Sequence, residues 1–133
     1  MVNTVTRTTI TDGPRNLIVK VHLNSDGTEE TGLELITGAD YDPSFVESSL
    51  MQLDYNMTGN FSAKLMWQGT PNLDIVALSP DTAICKDWQD IGGLINQAMS
   101  RTGDILLETT GIGTGDECTL VLHIAKRDRP AGF

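Results

Sequence analysis

Two histidines, two cysteines and a scatter of carboxylates are the residues of this chain best suited to chemistry. His22 and His123 each sit within an alternating apolar/polar run, opposite its stronger apolar face. No His-x-His, Glu-x-x-His or Cys-x-x-Cys spacing accompanies them, so a metal site would require two separate strands to meet. A polar sheet face or a subunit contact is the simpler expectation for both. Cys85 and Cys118 lie in apolar or strand-like surroundings, where a free thiol behaves as a small buried hydrophobe. Two reduced core thiols are expected rather than a disulfide.

Asp81, Asp87 and Asp90 gather around Cys85 and Trp88. That spacing is too sparse for a calcium loop. Hydrolysis by paired carboxylates needs convergence in space that spacing alone does not supply. Loop solvation and capping are therefore expected of these aspartates, and a solvated loop of Glu29-Glu30. No serine has a Gly-x-Ser-x-Gly context, and nothing local pairs Cys85 with a base. Gly111-x-Gly113-x-Gly115 invites a phosphate-loop reading, but the spacing is wrong, a strand follows instead of a helix, and Gly-Lys-Ser/Thr is absent. A flexible hairpin tip is expected there. Trp67 is expected in the core. With Trp88 it offers the alternative of a stacking platform for sugar rings.

The elements that must position these residues are short strands. Residues 16–24 place Leu17, Val19, Val21 and Leu23 on one face and Ile18, Lys20 and His22 on the other, the period of a half-buried strand. Residues 117–126 repeat the pattern. Residues 2–10, rich in Thr and Val, read as a first strand or an extended arm, broken by Asp12-Gly13-Pro14. Residues 32–37 and 73–78 form further strands, and Ser79-Pro80-Asp81-Thr82 fits a type I turn. Residues 50–57 and 61–68 form the best hairpin candidate. Leu53, Tyr55 and Met57 share one face of the first arm, and Phe61, Ala63, Leu65 and Trp67 share one face of the return. Thr58-Gly59-Asn60 suits the connection. Residues 85–90 read as extended or as a short helical turn. Residues 94–100 are the one modest helix candidate, and 104–109 form another strand. The fold class is therefore all-β: an antiparallel, jelly-roll-like β-sandwich of about eight strands with at most one short helix. It is expected to be one domain over 1–133, with 1–11 as an extended arm and 127–133 as a polar tail.

Length and composition agree. The chain has 133 residues, 39% of them hydrophobic and 20% charged, which suits a globular domain able to build a core without disulfides. Its net charge of −9 repels phosphate backbones, which argues against direct binding to nucleic acid. Met1 is followed by Val-Asn-Thr-Val-Thr-Arg, with neither a basic n-region nor an apolar h-region, so no secretory signal is expected. No apolar run reaches the length of a membrane helix.

Several segments together resemble a small structural protein of tailed bacteriophages. They are Met-x-Asn-Thr-Val-Thr at 1–6, Asp12-Gly13-Pro14-Arg15-Asn16 leading into Leu17-Ile18-Val19-Lys20-Val21, the central stretch ending in Leu65-Met66-Trp67, and Thr102-Gly103-Asp104-Ile105-Leu106-Leu107-Glu108-Thr109-Thr110-Gly111 before the last aliphatic strand. The resemblance implies a virion component, a capsid decoration (cement) protein on the outer head surface. Such proteins are jelly-roll-like sandwiches set as homotrimers on the major capsid protein. No catalytic residue, cofactor, metal or membrane is implied. Assembly in a reducing host cytoplasm suits unpaired cysteines. Inter-subunit contacts are expected from the arm, at Val2, Thr4, Val5, Thr6 and Thr8, and from Trp88. The alternatives are another virion position (head–tail connector, tail or fibre), a glycan-binding module using Trp88 or Trp67, and a small hydrolase using Asp81, Asp87 or Cys85.

Overall fold

A computed structural model of the chain describes residues 3–13, 15–41, 45–78, 84–91, 93–99 and 102–126. Ten strands form two antiparallel sheets. They are β1 (Thr4–Asp12), β2 (Asn16–Asp26), β3 (Leu33–Ile36), β4 (Ser48–Thr58), β5 (Ser62–Trp67), β6 (Leu73–Leu78), β7 (Ile84–Asp87), β8 (Leu94–Ile95), β9 (Ile105–Thr110) and β10 (Thr114–Lys126). One sheet runs β1-β2-β10-β4-β7, with β8 also pairing to β4; the other runs β3-β9-β5-β6. Setting β1 and β8 aside, the orders 2-10-4-7 and 3-9-5-6 are those of a double-sheet jelly roll of two Greek keys, the chain passing between sheets at every step except the β5–β6 hairpin.

Alternation builds the core. On β2, Leu17, Val19, Val21 and Leu23 are buried, as are Cys118, Leu120, Leu122 and Ile124 on β10. Leu53, Tyr55 and Met57 of β4 and Ala63, Leu65 and Trp67 of β5 meet them from the neighbouring strand and the facing sheet. Along β4 the register against β10 slips between Gln52 and Leu50, leaving Met51 as the extra residue. The bulge lets Leu50 rejoin the inner face, where strict alternation from Leu53 would have put Met51.

Three expectations are corrected. Residues 50–57 and 61–68 are strands, but they do not pair with each other: β4 and β5 lie in different sheets, and the chain crosses the sandwich between them. Gly59 makes that crossing at φ +118°, with its α-carbon against the Asp116 carboxylate. The glycine-rich segment after β9 is likewise a crossing between sheets rather than a hairpin tip. Residues 94–99 form no helix. Leu94–Ile95 pairs with Ser49–Leu50, and Asn96 and Ala98 turn inward while Ile95, Gln97 and Met99 face out, the period of an extended strap. The described helical residues are two single 3₁₀ turns, Gly38–Asp40 and Gln89–Ile91. The turn expected at 79–82 and the tail at 127–133 lie outside the described residues.

Candidate interaction surface

The outer face of the larger sheet collects most of the residues suited to chemistry. Cross-strand register sets them in rows: Thr6–His22–Thr119–Asn56, then Thr8–Lys20–Val121–Asp54–Cys85, then Thr11–Ile18–His123–Gln52–Asp87. His22 shares a 2.9 Å hydrogen bond between Nδ1 and Thr119 Oγ1, and its Nε2 lies 3.5 Å from Glu117. His123 Nε2 lies 3.4 Å from Asp54 Oδ2.

Cys85 is exposed, which corrects its expected place in the core, whereas Cys118 is buried as expected; both are free thiols. Asp54 lies beside Cys85 and His123, so a nucleophile–base pairing has to be considered. The order is wrong for one. An activated thiol needs the imidazole between thiol and carboxylate. Here the carboxylate is in the middle. The hydrogen bond from Cys85, then those from Gln52 and His123, hold Asp54 below the ordinary carboxylate range, while Asp54 pushes the Cys85 thiol up. A thiol kept protonated by its neighbour is a poor nucleophile.

Several other acidic residues serve the backbone. Asp87 Oδ1 accepts the Gln89 N–H at 2.9 Å, closing an Asx turn, and Asp81 lies outside the described residues. Among the described residues no group of three or more His, Cys, Asp or Glu is placed to hold a metal. Glu29 is exposed but does more than solvate a loop: its two oxygens accept the N–H groups of Gly111 and Ile112 at 3.0 and 2.6 Å. Asp116 accepts the N–H of Gly113 at 2.8 Å. The chain's own carboxylates thus occupy the amides that a phosphate would use.

Trp67 is buried in the core. Trp88 is half-buried and packs against the core from the rim, with its backbone holding the turn that leads to β8: its N–H donates to Met51 O at 2.9 Å, and its carbonyl accepts from Ile91 and Gly93. A broad exposed ring face for a sugar is not what this packing presents.

The segment expected as an extended arm is β1, an edge strand. Among the described residues it pairs with β2 alone, and every residue of it except Val5 is exposed. Val5 is half-buried against the core opposite Leu23, and Arg7 on the same side donates to the Glu34 carbonyl of β3. Thr4, Thr6 and Thr8 line the outer face; Val2 lies outside the described residues. The register slips at Ile10, which is exposed, so the regular free edge runs from Thr4 to Thr9. Seven of these nine strand residues are β-branched, which suits a pleated surface despite the lack of burial.

At the far edge lies a feature the sequence reading missed. Ile91, in the 3₁₀ turn before the strap, is 70% exposed, and Ile95 and Met99 on the strap itself are 57% and 72% exposed. Met99 reaches the turn before β6, where its carbonyl accepts the Thr70 N–H at 2.8 Å, and Leu73 at the start of β6 is also exposed. Ile95 and Met99 lie on the outward side of the extended strap. Among the described residues no helix is long and apolar enough to cross a membrane. No protein-family model matches this chain, and no curated protein matches it.

Proposed function

We propose that this chain is a non-enzymatic virion protein of a tailed bacteriophage, a decoration protein that binds the outer surface of the head as an oligomer, a trimer, and braces the major capsid protein against the pressure of packaged DNA. The observation that carries the reading is β1, a long β-branched edge strand that pairs, among the described residues, with β2 alone and is almost wholly exposed. Such an edge adds readily to a strand or loop of a neighbour. Ile91, Ile95 and Met99 add exposed apolar side chains beyond β4, away from β1. Oligomeric presentation multiplies weak contacts of this size into firm attachment. The jelly-roll topology, the net charge of −9, which suits a surface facing away from DNA, and the inverted Cys85–Asp54–His123 order all agree with a binding role rather than catalysis.

The test is the copy number and position of the protein in purified particles, by cryo-electron microscopy with quantitative gel analysis. Hundreds of external copies at the local three-folds support the reading. A few copies at a vertex or tail move the protein to the connector or fibre class, and absence from the particle discards both.

A further inference from the structure

We infer that Ser48 and Asn96 together bind one buried water molecule, which fastens the strap at 94–99 to β4. The pairing of Leu50 with Leu94 and Ser49 with Ile95 continues one step to Ser48 and Asn96, where the Asn96 N–H donates to the Ser48 carbonyl at 2.9 Å. Residues opposite each other on paired strands share a face, with β-carbons about 5 Å apart. Both residues are only 1% exposed. Yet Ser48 Oγ and Asn96 Nδ2 are each shut off from solvent with no hydrogen-bond partner among the described residues. Protein interiors rarely leave such groups unmet, and where protein atoms do not meet them an ordered water does. The other two buried atoms in this condition, Asp26 Oδ2 and Gln68 Oε1, sit singly on half-buried residues. Ser48 and Asn96 are the pair that faces across a ladder.

The chemistry of the two atoms selects the occupant. Asn96 Oδ1 accepts the Ala98 N–H at 3.1 Å, which fixes the amide and leaves Nδ2 as a donor. A donor repels a cation. An anion would call for a free cation, and Lys126, the partner of Ser48 on its other side, has its Nζ on Asp12 at 2.7 Å. Water accepts from Nδ2 and shares a hydrogen bond with Oγ in either direction, so it satisfies both at once. Its position gives it a task. β8 pairs with β4 over two residues, and farther along the strap the Met99 carbonyl is tied to the Thr70 N–H. A water between Ser48 and Asn96 adds a side-chain link where the ladder stops. It steadies the backbone from which Ile95 and Met99 point outward.

A high-resolution crystal structure and amide hydrogen exchange test this on the whole protein. The crystal structure should show one water about 2.7–3.2 Å from both Ser48 Oγ and Asn96 Nδ2. A direct bond between the two side chains, a separate protein partner for each, or no density between them overturns the inference. Ser48→Ala removes the hydroxyl and leaves the backbone ladder in place. Exchange of the Asn96 and Ala98 amides should then quicken about fivefold, the loss of one hydrogen bond, while the core amides of β5 keep their protection. Unchanged exchange in the variant overturns the fastening role. Should β5 lose protection as well, the wild-type crystal structure decides: the bridging water sustains the inference and a direct side-chain bond removes it.

Discussion

Cys118 couples the stability of this sandwich to alkaline pH. Its side chain lies on the inner face of β10, between Leu23 of β2 and Met57 of β4 in the cross-strand register. Burial alone pushes the thiol up to about 12 from an ordinary value of 9.0. The folded state thus refuses to ionise a group that the unfolded chain ionises readily. An acid with a raised folded value gives stability that is intact below the unfolded value and lost as pH climbs toward the folded one. With a threshold of 9.0, the penalty at about pH 10 is about 1.4 kcal/mol, and each further unit up to about 12 adds as much again. The assay is urea unfolding of Cys85→Ser, which removes the exposed thiol, beside Cys85→Ser/Cys118→Ala. Near neutral pH the second variant should be less stable by about 1 kcal/mol, the cost of a small cavity. By about pH 10 the two curves should close or cross, because lysines and tyrosines titrate alike in both and cancel. A stability gap that stays constant across this range would refute the coupling. So would native Cys118 reacting with a thiol reagent as fast as exposed Cys85.

Other substitutions probe separate parts of the same fold. Lys126, with a side chain only 3% exposed, reaches Asp12 at the end of β1 at 2.7 Å and sits 5.7 Å from the Phe45 ring centre, so Lys126→Met should cost about 2 kcal/mol in denaturant melts and lower the amide protection of the last residues of β1. Gly59→Ala places a methyl group against the Asp116 carboxylate at a φ of +118°, and calorimetry should record a loss of about 1–3 kcal/mol, partly relieved by Asp116→Ala. Ile91→Asp and Ile95→Asp replace side chains already in water, so the unfolding midpoint should hold within about 0.5 kcal/mol; on the proposed function, attachment to heads measured by sedimentation should fall sharply.

The strands themselves were legible because a period of two is written in side chains. Residues 16–24 and 117–126 display it cleanly, and the inner-face residues named from 16–24, Leu17, Val19, Val21 and Leu23, are core. The fold class followed, as did the burial of Trp67 and Cys118. The partner of each strand was not legible. Inner faces of both sheets present the same Leu, Ile and Val, so alternation tells which way a side chain points without telling which sheet carries it. For that reason 50–57 and 61–68 looked like a hairpin, and a turn able to close one proved able to cross the sandwich with Gly59 at its corner. Cys85 resembled a core thiol by its neighbours in sequence, but the pairing of Asp54 with Cys85 set it on the outer face. The extended strap at 94–99 depended on β4 offering Ser49 and Leu50 as partners, which local propensity does not record. The grip of Glu29 on Gly111 and Ile112 joins loops from opposite halves of the chain. Periodicity is local and survives in the sequence. Sheet membership, the free edge of β1, the carboxylate order beside His123 and the closing of the sandwich end all arise from long-range pairing, so only the tertiary structure decided them.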